Sequence, residues 1–369
     1  MPNSNLSDHR IVYFISPHGF GHAARAAAVM SAIHEKTPSI QFEIYTEVPR
    51  WFFQDSLSGP FNYHSLLTDI GLVQKDPLNE DIQTTIERLD RFFPLDAFLI
   101  TKLAEELNKM RCRMVICDIS PMGIASAKQA GIPSVLIENF TWDWIYEGYA
   151  NKNRGLCKHI DYLQRIFESV DYHIQAEPVC RYSDADLVVN PVSRKPKTSA
   201  KSLRERLQIG EGIKLVMITM GGIPGEYSFL TQLGCQPDVY FVIPGGGEAM
   251  LVHDNTILLP HRSKFFHPDL INASDLVMGK LGYSTLAEVY HGGIPFGHVM
   301  RTNFRESEIL ARYVGRNMRG FSLTAAEFQS GSWLNILADF LPLPRLVRGE
   351  TNGADQVGGF IRELLCLEG

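Results

Sequence analysis

Apolar residues along this chain fall in short, nearly unbroken runs, and amphipathic stretches separate the runs. Ile11 to Ser16 (IVYFIS) is such a run, ending at Pro17-His18-Gly19. A run this short and this uniformly apolar predicts a strand buried on both faces, as in a parallel sheet. The alanine-rich segment Ala23 to Glu35 predicts a helix after it, and Gln41 to Thr46 (QFEIYT) a second strand. Arg113 to Asp118 (RMVICD) predicts another strand, followed by a helix over Gly123 to Ala130. A Gly131-Ile132-Pro133 turn then leads into a strand over Ser134 to Glu138. Strand, helix and Gly-Ile-Pro turn in repetition mean βαβ units. Ser56 to Phe93 shows no clear period and is expected to be an excursion carrying helices.

The texture changes between Asp186 and Lys201, a polar, basic, proline-broken stretch with the character of a linker. Beyond it the alternation restarts. Lys214 to Thr219 predicts a strand ending at Gly221-Gly222, and Val239 to Ile243 one ending at Pro244-Gly245-Gly246-Gly247. Asp275 to Met278 opens a third unit, with a helix over Ser284 to His291 and a Gly292-Gly293-Ile294-Pro295 turn. Gln356 to Leu367 predicts a last helix. At 369 residues the chain is too long for one ordinary core. The expectation is an α/β protein of two Rossmann-like parallel-sheet domains, residues 1–190 and 191–345, with residues 346–369 a helical tail.

Composition removes some functions. Lys and Arg number 35 against 41 Asp and Glu, a net charge of −6, which disfavours a general nucleic-acid binder. The six cysteines form no CxxC pair, so neither a zinc site nor a disulfide framework is supported. The first residues, MPNSNLSDHR, contain no apolar signal region, and no apolar run approaches the length of a transmembrane span. A cytoplasmic location is expected.

The candidate chemistry lies in two glycine loops. In SPHGFGHAARAAAVMSAI, Gly19, Gly21 and Ala24 make a GxGxxA pattern between a strand and a helix, a place where an anion meets free N–H groups. A dinucleotide-binding loop with Glu47 on a ribose would explain the glycines. His22 follows the second glycine in the first helical turn, and Asp118 ends a later parallel strand. A carboxylate there can fix the imidazole tautomer and leave the other nitrogen as a base. The competing reading makes His22 and Asp118 simple caps, and His18 is a second candidate base.

This loop, with VICDISPMGIASAKQAGIPSVLIENF downstream, resembles the acceptor-domain pattern of UDP-glycosyltransferases. The resemblance implies that His22 is the general base and Asp118 its support. It also implies that His18, Gly19, Gly21 and Asn139 lie on the acceptor side and that the reaction inverts the anomeric carbon.

The second loop is DLVMGKLGYSTLAEVYHGGIPF. A diphosphate at the helix opening after Gly282 would meet backbone N–H groups, the hydroxyls of Ser284 and Thr285, and the Lys280 ammonium. Glu288, one turn on, is placed to reach a ribose diol. The capping alternative gives Ser284 or Thr285 the N-cap. The stretch is similar to the donor signature of GT-B enzymes, both plant-type UDP-glycosyltransferases and the N-acetylglucosaminyltransferase of peptidoglycan synthesis. That similarity implies a GT-B fold whose two domains face a cleft, with Gly282, Ser284, Thr285 and Glu288 at the donor. Lys280 stands where the plant-type signature has histidine. Gly221, Gly222 and Gly246 join the expected donor-binding set, and Arg305 and Glu306 the expected sugar contacts.

ENFTWDWIYEGY, the basic linker, GKLGYSTLAE and the late NGADQV together resemble the glycosyltransferase-like N-terminal region of plant L-arabinokinases. By that resemblance Trp142, Asp143 and Trp144 line the cleft and meet a sugar, the competing reading being a hydrophobic plug under a loop. The GT-B resemblance implies that the last helix crosses back to the first domain. No GxxxxGK[ST] loop is present, so kinase activity is not expected. The expected activity is metal-independent, cofactor-free, hexosyltransferase-like transfer from a nucleotide sugar, UDP foremost, to a small-molecule, saccharide or lipid hydroxyl. A non-catalytic nucleotide-sugar sensor and a GT-B-fold UDP-sugar epimerase are the alternatives, and a dehydrogenase comes last.

Overall fold

A computed structural model describes residues 10–221 and 227–367. The chain forms two compact units. The first comprises Met1–Val73, Glu80–Ser193 and Thr351–Gly369, and the second Gln74–Asn79 and Arg194–Glu350.

The first unit carries a seven-stranded sheet: β1 (Arg10–Ile15), β2 (Gln41–Thr46), β3 (Phe61–Ser65), β4 (Cys112–Asp118), β5 (Ser134–Glu138), β6 (Tyr172–Ala176) and β7 (Leu187–Val189). Its order is β3-β2-β1-β4-β5-β6-β7, parallel throughout. The central strands bury both faces, which is why their sequences read as continuous apolar runs. The helix Phe20–Lys36 follows β1 and presents its alanines to the interior. Small side chains permit close packing, and the last helix, Gly353–Leu367, uses it: a Cβ at Gly358 would lie 3.0 Å from the Ala32 backbone.

The second unit repeats the plan with β8 (Lys214–Thr219), β9 (Val239–Gly247), β10 (Leu251–His253), β11 (Thr256–Pro260), β12 (Leu276–Lys280), β13 (Phe296–Val299) and β14 (Gly320–Leu323). The order is β10-β11-β9-β8-β12-β13-β14, with only the edge strand β10 antiparallel. Leu78, from the hexapeptide Gln74–Asn79, packs against this unit's core.

Two sequence expectations are corrected here. The stretch between Asp186 and Lys201 is not all linker, because Leu187–Val189 pairs with β6 as the edge strand β7, and Ala200–Arg206 is helical. Three residues are too few to show a period. The featureless Ser56 to Phe93 contains β3 as well as the helix Ile82–Phe92.

Each sheet has one point where the strand order reverses, between β1 and β4 in the first and between β8 and β12 in the second. Ligands in open parallel sheets bind outside the carboxyl ends of strands at such points. At the second point Gly279 has φ +153, and a Cβ there would lie 1.7 Å from the Thr219 carbonyl oxygen. Gly279→Ala is expected to force β12 away from β8 and to cost at least the upper end of about 1–3 kcal/mol. Chemical denaturation reads the loss, and an unchanged midpoint would contradict the close approach.

Candidate functional site

The first reversal point is polar and buried. Gly19, at φ +72, makes the sharp turn out of β1 and is the N-cap of the following helix, with no side-chain cap. Gly21 and His22 lie in its first turn. Asp118 ends β4, the neighbouring strand, so the topology alone brings the two residues together across 96 positions of sequence.

His22 Nδ1 lies 2.7 Å from Asp118 Oδ1. Because a carboxylate only accepts, Nδ1–H is the donor, and in the neutral ring Nε2 carries the lone pair. Asp118 has a second partner that sequence reasoning missed. Arg25, 2% exposed, donates to both carboxylate oxygens at 2.7 Å, and its Nη1 donates to Asn139 Oδ1 at 2.6 Å. Burial by itself would raise the Asp118 carboxyl, but the Arg25 charge and the His22 hydrogen bond outweigh it and hold it below its ordinary value. One signal for Arg25 was available. It lies three residues after His22, on the same helical face.

An aromatic wall closes over the imidazole. The Trp142 ring centroid is 6.0 Å from that of His22 and 5.0 Å from that of His18, and Phe140 stands edge-on to His22 at 5.9 Å. His18 Nδ1 accepts the backbone N–H of Leu72 at 3.3 Å, which keeps its ring against the segment after β3. That segment contributes Asp69, a buried carboxylate accepting from Ser16 Oγ at 2.9 Å and Trp142 Nε1 at 3.2 Å. Burial pushes its carboxyl up to about 7 against both hydrogen bonds, and Asp118 adds to the rise.

The folded protein therefore keeps a proton on Asp69 that the unfolded chain releases near pH 4. Its contribution is fully present below that value and is lost as pH rises toward 7. Across this window Asp69→Asn is expected to flatten the fall of stability, read from urea midpoints at several pH values. Parallel profiles for variant and wild type would refute the shift.

The expectation that Trp142, Asp143 and Trp144 line one site is corrected. Successive helical residues point about 100° apart. Trp142 faces His18 and His22, whereas Asp143 pairs with Arg181 at 3.0 Å and, with Trp144, lines a separate cavity.

At the second reversal point, Gly282 is the N-cap of the helix Tyr283–Gly292 and no side chain caps it, so neither Ser284 nor Thr285 has that role. A Cβ on Gly282 would meet nothing within 4 Å. Space beside a helix start that no side chain caps suits an anion. Lys280 ends β12 beside Gly221, where a Cβ would come within 3.3 Å of Nζ. Burial, with the Arg301 charge adding, pushes the Lys280 ammonium down to about 7, and Glu306 opposes the fall. Glu306 is buried 3.6 Å from Arg301, whose guanidinium lies over the Phe304 ring, and Arg305 is the N-cap residue of the helix Glu306–Asn317. Gly246 belongs to β9, and Gly222 lies outside the described residues.

Glu288, its side chain 3% exposed, is already engaged. Arg194 Nε donates to Oε1 at 2.9 Å and His267 Nδ1 to Oε2 at 3.0 Å. Burial would raise its carboxyl, and Arg194 and His267 together lower it instead. Neither partner was readable in the sequence, since they lie 94 and 21 positions away. Among the described residues no cluster of His, Cys, Asp or Glu is arranged to hold a metal, and no helix is long and apolar enough to cross a membrane.

No protein-family model matches the chain. An L-arabinokinase of Arabidopsis thaliana is 27% identical over 367 residues, which are 98% of this chain and 35% of that protein. The chain thus spans about a third of the length of this curated relative. Among solved structures, the glycosyltransferase SnogD from Streptomyces nogalater is similar with a TM-score of 0.57 at 16% identity, over 98% of this chain and 100% of that one. A UDP-glucosyltransferase from Polygonum tinctorium gives 0.60 at 12% identity, covering 97% and 93%. MurG of Acinetobacter baumannii gives 0.54 at 13% identity, covering 96% and 99%. The chain has the GT-B glycosyltransferase fold, α/β with two mostly parallel seven-stranded sheets.

Proposed function

We propose that the protein transfers a sugar from a nucleoside-diphosphate sugar, with UDP as the favoured nucleotide, to an acceptor hydroxyl. The observation that carries this reading is the buried hydrogen bond from His22 to Asp118 at the end of β1 and β4, which leaves Nε2 as a proton acceptor. In the proposed step the acceptor O–H gives its proton to Nε2 as its oxygen bonds the anomeric carbon. The bond from that carbon to the diphosphate breaks, and a single displacement inverts the centre. The departing diphosphate would be met by the first-turn N–H groups after Gly282, the Ser284 and Thr285 hydroxyls, and Lys280. The Glu288 oxygens keep lone pairs beyond those used by Arg194 and His267, and these would take the ribose diol. His18, Asn139 and Trp142 would shape the acceptor side, with Arg305 and Glu306 toward the donor sugar.

A second reading is a protein that binds the nucleotide sugar without transferring it. The closed state of Glu288 supports it, as does similarity to part of a longer protein named for kinase chemistry.

Calorimetry with UDP-glucose tests the donor site, because its diphosphate stays ionised over the pH range used. Lys280 titrates near 7, so affinity is expected to fall about tenfold between roughly pH 6 and pH 8 as its positive charge is lost. Lys280→Gln should bind weakly and equally at both. Wild-type binding that ignores pH would remove Lys280 from the diphosphate, and no binding of any nucleotide sugar would sink both readings.

A further inference from the structure

The Asp69 carboxyl takes no part in the transfer step proposed above, yet the fold keeps it 1% exposed. Its two partners are neutral donors, Ser16 Oγ at 2.9 Å and Trp142 Nε1 at 3.2 Å. A carboxylate buried among neutral groups is costly, and the Asp118 charge adds to the cost. The donors explain why an acid stands there. Ser16 follows β1, and the Trp142 indole, 1% exposed, needs an acceptor for its N–H once buried. A carboxyl group accepts from both at once.

What Trp142 touches gives that hydrogen bond its meaning. Its ring stands edge-on to His18 and tilted to His22, at the distances given above, and stacks on Tyr146 at 5.9 Å. Tyr146 lies one turn further along the same helix, Trp142–Ala150, and its hydroxyl donates to the Gly71 carbonyl at 2.7 Å. The indole and the phenol therefore both fasten onto residues 68–72. That segment is tied to β1 by Thr68 Oγ1, which donates to the Ile15 carbonyl at 2.7 Å, and to His18 by the Leu72 N–H. Gly71 is what lets the imidazole in: at φ +60, a Cβ there would lie 2.8 Å from the His18 ring. Both imidazoles thus lean on one indole, and Asp69 holds the single polar atom of that indole.

We infer that Asp69 is a positioning residue, which sets where His18 and His22 stand by holding the Trp142 N–H. A reacting group works only when its supports fix it to a fraction of an ångström. The consequence for turnover rests on the transfer reading above, whereas the placement of the two rings does not.

NMR of the histidine Cε1–H resonances tests the placement, with His18 and His22 assigned by their loss in His18→Gln and His22→Gln. Asp69→Leu, close in size but unable to accept, should shift both. His34 and His159, which pack on other rings, should stay in place. Asp69→Asn still offers the indole an oxygen and should keep His18 and His22 near their wild-type positions. Asp69→Ala replaces the leucine variant should that one not fold. In turnover, Asp69→Leu and Trp142→Phe should each lower kcat about ten- to a hundredfold with donor Kd unchanged, and the double variant no further. Asp69→Asn should restore kcat to near wild type. A purely structural role would lower the melting temperature and leave the native resonances alone. Unmoved His18 and His22 in the folded leucine or alanine variant would overturn the placement, as would Asp69→Asn behaving like Asp69→Leu. Additive losses in the double variant would mean that Asp69 does not act through the indole. No transfer by the wild type would remove the transfer reading and leave the resonances to decide the role of Asp69.

Discussion

Replacing His22 by alanine is expected to slow sugar transfer by about 10²- to 10⁴-fold while nucleotide-sugar affinity stays unchanged. The size follows from the role. Nδ1 is committed to Asp118 at 2.7 Å, so the tautomer is fixed, and Trp142 and Phe140 hold the ring from its other sides. The neighbouring His18 is not equivalent, for its Nδ1 already accepts the Leu72 N–H. The residues proposed to hold the donor belong to the second unit, so binding and turnover should separate: a large loss in kcat with little change in donor Kd. Single-turnover rates with measured nucleotide release distinguish the two. Full turnover in the alanine variant would end the general-base assignment and favour binding without transfer.

The second large effect is on stability. Arg25→Met is expected to destabilise the protein by about 3–5 kcal/mol at neutral pH, because it strands the Asp118 carboxylate, fully buried, without its cation. In the wild type the depressed Asp118 carboxyl contributes stability above the unfolded value near 4, lost as pH falls through the folded one. In the variant, burial acts unopposed by the guanidinium, and protonation relieves the strain. The penalty should therefore shrink on acidification. The double variant Arg25→Met/Asp118→Asn, which removes both charges, should recover most of the loss, and the coupling is read from a double-mutant cycle in urea. A single-variant loss below about 1 kcal/mol would mean that the pair is far better solvated than its geometry indicates.

Arg25 also shows where sequence reading stops. In ARAAAVM it looks like a solvated residue on an alanine-rich helix, and only its spacing from His22 hints otherwise. The strands were legible for the opposite reason. Gln41–Thr46, Ser134–Glu138 and Lys214–Thr219 are helix-covered parallel strands, so burial writes itself into consecutive residues. β7 was missed because its three residues take their strand character from β6 rather than from any pattern of their own. Asp69 stands in a stretch without period, and Arg194 and His267 reach Glu288 only through the tertiary fold. Local pattern reported which residues end strands and open helices. It was silent on which charges those residues meet.

The first unit is built from both flanks of the second: Gly353–Leu367 packs on Phe20–Lys36 only after all of Arg194–Glu350 has been made. On the ribosome, then, the second unit can finish folding while the first still waits, its alanine-lined helix uncovered and awaiting its partner. That order makes the early part of the chain a natural client for chaperones during synthesis. It also makes the close approach at Gly358 the contact on which completion depends, since any side chain there would crowd the Ala32 backbone at the moment of docking.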